Sequence, residues 1–348
     1  MNENDVNYYE NEIDLKEIII VLWKRKKMII SFTLITAVLT GLFSMFILSP
    51  VYKTNLNIVI NMPETFHTKY GEYKLPITTN EQYINLITSN DVLINTIKDM
   101  GYDSKEINIE KLNKSIEIEK YATNANAVRN TFMVTVSADN PEEALKLAQS
   151  LFKSYIEFMD VMTKERVVNH YSEFYDIEIK SLQNAWDVSM VTLKNNEELL
   201  VKTPRIIGVV KSNVGIQSQL NGNNDYVVPV DVANPNYIKI ENDIVQNKQS
   251  IYWIETTMKK YEQYLEELSV EKQAINNYYE TGRVEKLISD IIGVVETNVY
   301  LPSPPVAPTK KTSPSNALNI VIGAVIGGML VVMTALVKEY WFKEESAK

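Results

Sequence analysis

The chain has 348 residues and a formal net charge of −9 at neutral pH, with 35 basic side chains, 44 acidic side chains and no cysteine. The lack of cysteine excludes disulfide bonds, thiol catalysis, thiolate zinc sites and iron–sulfur clusters, and the acidic balance is typical of proteins that bind no nucleic acid. Apolar residues make up 45% of the chain, and the 11 glycines and 12 prolines are few, so we expect a folded protein rather than a disordered one.

The first 48 residues predict a cytoplasmic segment followed by a transmembrane helix. Within residues 1–27, apolar side chains recur at helical spacing after Asp14, and Asp14 with Glu17 fits a capping box, so an amphipathic helix is expected. Residues 28–48 carry no charge, and at 1.5 Å per residue they would cross a hydrocarbon core of about 30 Å. Four basic side chains precede this run and hold the N terminus in the cytoplasm by the positive-inside rule. They are Lys24, Arg25, Lys26 and Lys27.

Residues 49–140 predict an α+β domain outside the cytoplasm. Apolar and polar residues alternate at 56–60, 116–118 and 132–136, which indicates strands. Residues 80–101 predict one helix that ends at Gly101. A later β-branched run at 291–300 is expected to return to the same sheet, because its composition is typical of a strand.

Residues 141–280 predict a long helical hairpin. Asn140, Pro141 and Glu143 fit the N-cap, N1 and N3 positions of a helix that continues without Gly or Pro to about residue 200. Residues 203–234 contain the glycines and the NGNND run of a turn-rich tip. A second helix begins near Pro235, and its apolar heptad predicts a coiled-coil seam, with breaks at Asn247 and Lys272 that set the register. The seam consists of Ile244, Ile251, Ile254, Met258, Tyr261, Leu265, Leu268, Ile275 and Tyr279.

Residues 281–316 predict a return segment that ends in a proline-rich rod. Pro302, Pro305 and Pro308 fix the backbone dihedral φ and favour a stiff polyproline II conformation. Ser313 is expected to cap the next helix and Pro314 to occupy its first position. We expect the rod to couple the outer region to that helix.

Residues 317–337 are again uncharged and predict a second transmembrane helix, followed by a cytoplasmic tail at 338–348. Inside the helix, Gly323 and Gly327 form a GxxxG motif, and Gly328 follows directly. This spacing lets helix backbones approach closely, although glycine is also generally frequent in membrane helices. The fold class predicted is therefore an α+β membrane protein whose two transmembrane helices flank a membrane-proximal α+β domain and a long projecting coiled-coil hairpin.

The sequence offers no constellation for catalysis, a cofactor or a metal ion. It contains no GxxxxGK[ST], HExxH or GxSxG motif. His67 and His170 are the only histidines, and their positions predict surface or packing roles. The chain has 20 tyrosines, and residues such as Tyr155 and Tyr171 lie at seam spacing, which favours core filling over a glycan-binding platform. The protein is therefore expected not to be an enzyme.

Two terminal segments resemble the polysaccharide co-polymerases, the Wzz-type chain-length determinants. At the C-terminal end, the resemblance is carried by the prolines of 302–308, Lys311, Ser313-Pro314, Ala317-Leu318 and Gly327-Gly328. At the N-terminal end, it is carried by Ile13-Asp14-Leu15 and by Leu22-Trp23 followed by the four basic residues. These segments cover about 90 residues, and the middle of the chain is similar in architecture more than in letters.

The resemblance implies a non-enzymatic scaffold in the cytoplasmic (inner) membrane. It would regulate chain length in the synthesis of lipopolysaccharide O-antigen, capsule or exopolysaccharide. Its expected partners are further copies in a ring, membrane lipid, a membrane polysaccharide polymerase and the growing polysaccharide. The alternative is a transmembrane adaptor for a separate cytosolic tyrosine kinase in capsule assembly, which would dock on the tail at 338–348.

Overall fold

The computed structural model describes residues 15–103, 105–119, 129–211, 228–282 and 295–340. It is mostly helical and contains a long helical hairpin and two helices long and apolar enough to cross a membrane. The chain divides into two compact units. The first comprises the described residues within 1–62, 79–156 and 298–348, and the second those within 63–78 and 157–297.

The first unit contains the two apolar helices and a short helix before them. Helix α1 spans Leu15–Lys24, α2 spans Lys26–Phe46 and α9, the last helix, spans Asn316–Tyr340. The two longer helices are the candidate membrane spans. Asp14, the expected cap of α1, lies outside the described residues.

The same unit holds a four-stranded antiparallel sheet. Its strands are β1 (Tyr52–Ile60), β4 (Ile116–Ile118), β5 (Thr131–Ala138) and β8 (Val299–Tyr300), and their order in the sheet is β4-β5-β1-β8. Alternate residues of β1 are buried, which matches the alternation in the sequence. The expected return of the chain to this sheet is confirmed at β8, which pairs with Val59 and Ile60.

The segment predicted as one helix at 80–101 is two helices. Helix α3 spans Asn80–Asn85 and is followed by a 3₁₀ turn at Leu86–Thr88, and α4 spans Asn90–Met100. The helix is interrupted at Ser89, whose extended ψ of 154° precedes the new helix. Gly101 ends α4 with a φ of 70°, as expected of a glycine at a helix C terminus. A further short helix, α5 (Ile109–Lys114), leads into β4.

Helix α6 spans Pro141–Lys202 without a break. It begins as the sequence predicts, because the Glu143 backbone N–H donates to Asn140 Oδ1 at 2.8 Å and the Asn140 amide donates back to the Glu143 carboxylate at 3.0 Å. The helix starts in the first unit and continues in the second.

The second unit is organised by the hairpin of α6 and α7, where α7 spans Pro235–Thr281. The Tyr279 hydroxyl donates to Glu165 at 2.8 Å, the Trp186 indole N–H donates to Glu255 at 2.9 Å, and Lys248 lies 3.0 Å from Glu197. Residue numbers rise along α6 as they fall along α7 in these pairs. The helices are therefore antiparallel.

The predicted heptad seam of α7 is confirmed at five residues and is wrong by one residue at Tyr279. The five buried residues are Ile244, Ile251, Ile254, Leu268 and Ile275. Lys272 and Tyr279 are exposed, and Glu271 and Tyr278 are buried in their place. The buried positions Leu268, Glu271, Ile275 and Tyr278 keep three-four spacing, so the seam continues to the end of the helix with one of its two positions displaced by one residue.

The predicted turn-rich tip at 203–234 contains two paired strands. Strand β6 (Ile206–Lys211) pairs antiparallel with β7 (Val228–Ala233). Both are rich in β-branched residues, which favour strands, and Gly208 lies within β6 rather than in a turn. The NGNND run lies outside the described residues.

A second small hairpin, β2 (Thr65–Thr68) and β3 (Gly71–Lys74), was missed by the sequence reasoning. The remaining described element is the single-turn helix α8 (Val295–Asn298) that precedes β8. Residues 291–294 of the predicted return strand lie outside the described part.

Candidate functional site

The candidate site is the contact between α2 and α9, together with the segments that enter and leave it. These helices are antiparallel, since Thr40 lies against Gly323, Thr36 against Gly327 and Thr33 against Gly328. A Cβ atom added at Gly323 or Gly327 would overlap the opposing threonine side chain, whereas one at Gly328 would lie 3.4 Å from Thr33 Oγ1, an ordinary contact. Of the described glycines in the two helices, those of the GxxxG pair leave the least room for a side chain.

The hydroxyl groups of the threonines that face the glycines are hydrogen-bonded within their own helix. Thr36 Oγ1 donates to the backbone carbonyls of Phe32 and Thr33 at 3.1 and 3.0 Å. Thr40 Oγ1 donates to the carbonyls of Thr36 and Ala37 at 2.9 and 3.0 Å. The hydroxyl groups of Thr36 and Thr40 are thus satisfied within α2. Their contact with α9 is therefore van der Waals packing that requires no hydrogen bond between the helices, which suits lipid surroundings.

A polar cluster lies at one end of the helix pair, and the sequence reasoning did not predict it. Ser44, which is 1% exposed, donates its hydroxyl to Asn316 Oδ1 at 3.1 Å and accepts from the Asn319 amide at 2.7 Å. Lys311 Nζ donates to the same Asn316 oxygen at 3.1 Å. The signal available in the sequence was Ser44, Asn316 and Asn319 as hydrogen-bonding residues in or beside runs that are otherwise apolar.

The basic residues lie at the opposite end of the pair. Arg25 lies between α1 and α2, and its guanidinium is 2.7 Å from the Glu339 carboxylate of α9, with both side chains mostly shielded. Lys24, Lys26 and Lys27 are exposed, and Lys26 lies over the Trp23 ring at 4.6 Å. Arg25 therefore also fastens α9, a role that its position in a basic run did not indicate.

The proline-rich segment is fixed at both ends to the same strand. It leaves β8, which pairs with the end of β1 at Val59 and Ile60. It ends where the Val51 N–H donates to the Ser313 carbonyl and the Thr312 N–H donates to the Val51 carbonyl, both at 2.8 Å. Residues 301–315 form no helix or strand. The segment is thus anchored twice rather than joined to the sheet at one end only.

The prolines of this segment differ in burial. Pro302 is exposed, Pro305 and Pro308 are half-buried, and Pro314 is buried. The expectation that Ser313 and Pro314 start the second span is wrong by two residues. Helix α9 begins at Asn316, and Ser315 caps it by accepting hydrogen bonds from the N–H groups of Leu318 and Asn319. The reason is that the Ser313 backbone is already held by Val51.

The tyrosines of the second unit form a packed cluster. Tyr70 of the β2–β3 turn is in ring contact with Tyr171 and Tyr175 of α6 and with Tyr264 of α7. The Tyr175 hydroxyl donates to the Tyr70 carbonyl at 2.9 Å. Burial raises the pKa of Tyr70 to about 12, and the neighbouring Lys69 opposes that rise while Glu267 adds to it. These rings fill a core, as the sequence spacing favoured.

The two histidines lie on the surface of the same region. His170 is exposed and packs its ring against Tyr73 and Tyr171, and His67 lies 3.3 Å from Glu72. Within the described ranges, no group of three or more His, Asp or Glu side chains is arranged to hold a metal ion.

These features define a class of protein: a chain with two antiparallel candidate membrane helices at its ends and a large folded region between them. Residues 11–100 match the family described as "Wzz: Chain length determinant protein". The match to this family covers α1, α2, β1 and the segment through α4. The resemblance seen at the N-terminal end of the sequence is confirmed.

Curated relatives carry related names. The chain is 28% identical over 168 residues to the capsular polysaccharide biosynthesis protein CpsC of Streptococcus agalactiae, which covers 46% of this chain and 67% of that protein. It is 27% identical over 173 residues to the probable capsular polysaccharide biosynthesis protein YwqC of Bacillus subtilis (strain 168), covering 45% and 65% respectively. The alignments thus span about two thirds of each relative.

Solved structures are similar at lower identity. A full-length bacterial polysaccharide co-polymerase aligns over 96% of this chain and 100% of its own, at 16% identity and a TM-score of 0.44. A fragment of WzzB, the polysaccharide co-polymerase from Salmonella Typhimurium, aligns over 76% of this chain and 100% of its own, at 12% identity and a TM-score of 0.27.

Proposed function

We propose that this protein is a non-catalytic membrane scaffold that regulates the chain length of a surface polysaccharide. The observation that carries the proposal is the match of residues 11–100 to the Wzz chain length determinant family, with capsular polysaccharide biosynthesis proteins among the curated relatives. The antiparallel pair of α2 and α9 supports a protein held in a membrane at both ends of its folded region.

The scaffold acts by holding the growing polysaccharide in place and does not itself make or break covalent bonds. Several copies assembled in a ring would present repeated contacts to one growing polysaccharide next to its membrane polymerase. Repeated weak contacts raise the effective concentration of the polymer end near the polymerase. This effect ends when the polymer is too long to contact several copies at once. Polymer length would then depend on the dimensions of the assembly.

The proposed topology places Lys24, Arg25, Lys26 and Lys27 in the cytoplasm, and with them both termini. The four-stranded sheet would then form an α+β base next to the outer face of the cytoplasmic membrane. Support comes from the position of Ser313 and Val51, which join the ends of both apolar helices to strand β1. The same topology puts the polar cluster at Ser44 on the outer side.

The topology is tested with protease added to intact spheroplasts. Digestion should be confined to residues between about 49 and 316, with tags at both termini protected. Full protection of that region, or cleavage of either tag, would contradict the arrangement.

The function is tested by deleting the gene in the cells that make the protein and comparing the surface polysaccharide on gels. We expect the modal length to be replaced by a broad distribution while total synthesis continues, and the intact gene should restore the mode. Abolished synthesis would indicate a catalytic or export role instead. The adaptor alternative is not favoured by the comparisons, and most of its docking tail lies outside the described residues.

A further inference from the structure

A cleft in the second unit has the composition of a ligand site. It is a shallow cleft between α6 and α7 with a volume of about 550 Å³. Leu182 and Ala185 line it from α6, and a polar and aromatic row lines it from α7. The cleft is open to solvent, so a chain-like ligand can reach it from the surface.

The α7 wall of the cleft is one continuous face of the helix. Gln246, Gln249, Ser250 and Trp253 follow each other at positions i, i+3, i+4 and i+7, a spacing that aligns side chains on one face. Ile254, buried at 5% exposure, lies beside them and belongs to the helix–helix seam. The row is therefore the solvent-facing margin of the seam.

Trp253 gives this face its apolar surface. Its side chain is 62% exposed, although an indole gains more from burial than almost any other side chain. Trp186 on α6 differs, because its indole N–H is bound to Glu255 at 2.9 Å. The ring of Trp253 is thus available to cover the apolar face of a ligand.

The other groups on this face are uncharged and can both donate and accept hydrogen bonds. The amides of Gln246 and Gln249 and the hydroxyl of Ser250 each have donor and acceptor atoms. A sugar ring offers the matching combination, since its hydroxyl groups also donate and accept while its C–H groups form an apolar face. A cleft for a nucleic acid or an acidic peptide would instead require basic side chains.

Two side-chain contacts join the helices close to the cleft. Trp186 with Glu255 and Lys248 with Glu197 join α6 to α7 at 2.9 and 3.0 Å. A site built on two helices with such supports keeps its geometry better than one built on loops.

We propose that this cleft binds one or two sugar units of the growing polysaccharide, with a sugar ring stacked on the indole of Trp253 and its hydroxyl groups bound by Gln246, Gln249 and Ser250. This inference rests on the proposed function, because it names the surface through which the scaffold contacts its polymer. Repetition of the cleft on each copy of the chain supplies the multivalent contacts that length regulation requires.

The test measures binding by the full-length protein in lipid nanodiscs. The probe is a set of size-fractionated oligosaccharides released from the surface polysaccharide of the cells that make the protein, titrated and followed by saturation-transfer NMR. Trp253→Ala should weaken binding about tenfold or more, since it removes the stacking surface, whereas Trp253→Phe should retain part of the affinity. Gln249→Ala should cause a smaller loss.

Tyr252→Ala provides the matched control. Tyr252 precedes Trp253 on the same helix and is even more exposed, at 73%, but it does not line the cleft. Its removal should leave the affinity unchanged. Circular dichroism on all variants should show the helix content of the intact chain.

Three results would overturn the inference. The first is that the intact protein binds none of the oligosaccharides, and the second is that Trp253→Ala binds as tightly as the intact protein or no more weakly than Tyr252→Ala. The third is that Trp253→Ala reduces the particle mass without changing sugar affinity, which would make the cleft a contact between copies. None of these three results changes the outcome of the gene deletion. The sugar-binding cleft can therefore be disproved while the proposed function stands, and the reverse also holds.

Discussion

The protein contains two antiparallel helix pairs with opposite arrangements of side chains. In the α6–α7 pair, large apolar residues such as Leu268 and Ile275 face the partner helix and are at most 1% exposed. In the α2–α9 pair, glycine and threonine face the partner, and large apolar residues such as Leu34 and Met329 face outward at 64% and 68% exposure.

The two arrangements of side chains suit different surroundings, water for the α6–α7 pair and lipid for the α2–α9 pair. In water, burial of apolar area drives helices together, so the apolar stripe marks the contact face. In lipid that driving force is absent between helices, and close packing of small residues replaces it. The contact face of α2 and α9 therefore cannot be located from the positions of their largest apolar residues.

The largest expected effect concerns the end of the α6–α7 seam. Tyr278 is 1% exposed and Tyr279 is 41% exposed. Tyr278→Ala should lower the free energy of unfolding by about 3–5 kcal/mol, as other large-to-small core changes do, and Tyr279→Ala by about 1 kcal/mol or less. Denaturant titration of the helical circular dichroism signal measures both. If Tyr279→Ala lowered the free energy of unfolding more than Tyr278→Ala, the strict heptad seam would be correct after all.

The next effect distinguishes the glycines of the α2–α9 pair. Gly327→Ala should cost about 1–3 kcal/mol of helix packing, because the new methyl group overlaps Thr36. Gly328→Ala is the matched control and should cost little, since its methyl group meets only an ordinary contact.

The readout for this pair uses the natural absence of cysteine. A single pair of cysteines, Ser44→Cys with Asn316→Cys, joins the two helices where these side chains are 3.1 Å apart. Cross-linking yield in membranes should fall for Gly327→Ala and not for Gly328→Ala. Equal yields in all variants would mean that close approach at Gly327 does not hold the pair together.

A third change tests the proposed coupling between the folded region and the second apolar helix. Replacing Pro302, Pro305 and Pro308 with Gly turns a stiff spacer into a flexible chain. The gel profile of the surface polysaccharide should lose its narrow modal length while synthesis and the oligomer persist.

The control for that change adds glycine without removing proline. Ser303, Val306 and Thr309 lie between or beside the same prolines, and their replacement with Gly should alter the profile much less. If the proline variant has an unchanged ladder, the segment is only a tether, held by its hydrogen bonds to β1.

The smallest effect contrasts the ion pairs of the two helix pairs. Lys248 and Glu197 are 58% and 50% exposed, so Lys248→Gln should cost about 0.2–1 kcal/mol, and less in high salt. Arg25 and Glu339 are 25% and 18% exposed, so Arg25→Gln should cost more and respond less to salt. Unfolding titrations at low and high salt compare them, and equal salt dependence would contradict the difference in shielding.

Much of the fold was predictable from local signals. The start of α6 at Pro141 and of α7 at Pro235, with Asn140 and Asn234 as caps, follows from side chains that bind nearby backbone N–H groups. The two apolar helices follow from length and composition. Such features depend on a few adjacent residues, which a single sequence displays.

What was missed depends on distant partners. The sequence shows the GxxxG spacing of Gly323 and Gly327. It does not show that Thr36 and Thr40, nearly 300 residues earlier in the chain, lie opposite them. Ser315 became the cap of α9 because Ser313 is held by Val51, a contact that no local pattern encodes. The Trp253 cleft was also missed, because its row of side chains becomes a site only beside Leu182 and Ala185 of another helix.

The hydrogen bonds between Val51 and Ser313 have a mechanical consequence. They join the chain just after α2 to the chain just before α9, and the polar cluster at Ser44 ties the same helix ends together. A pull on strand β1 would load these bonds in shear, along the backbone, and would be shared by both helices. The pair would tilt as one lever, with Arg25 and Glu339 keeping its far end closed.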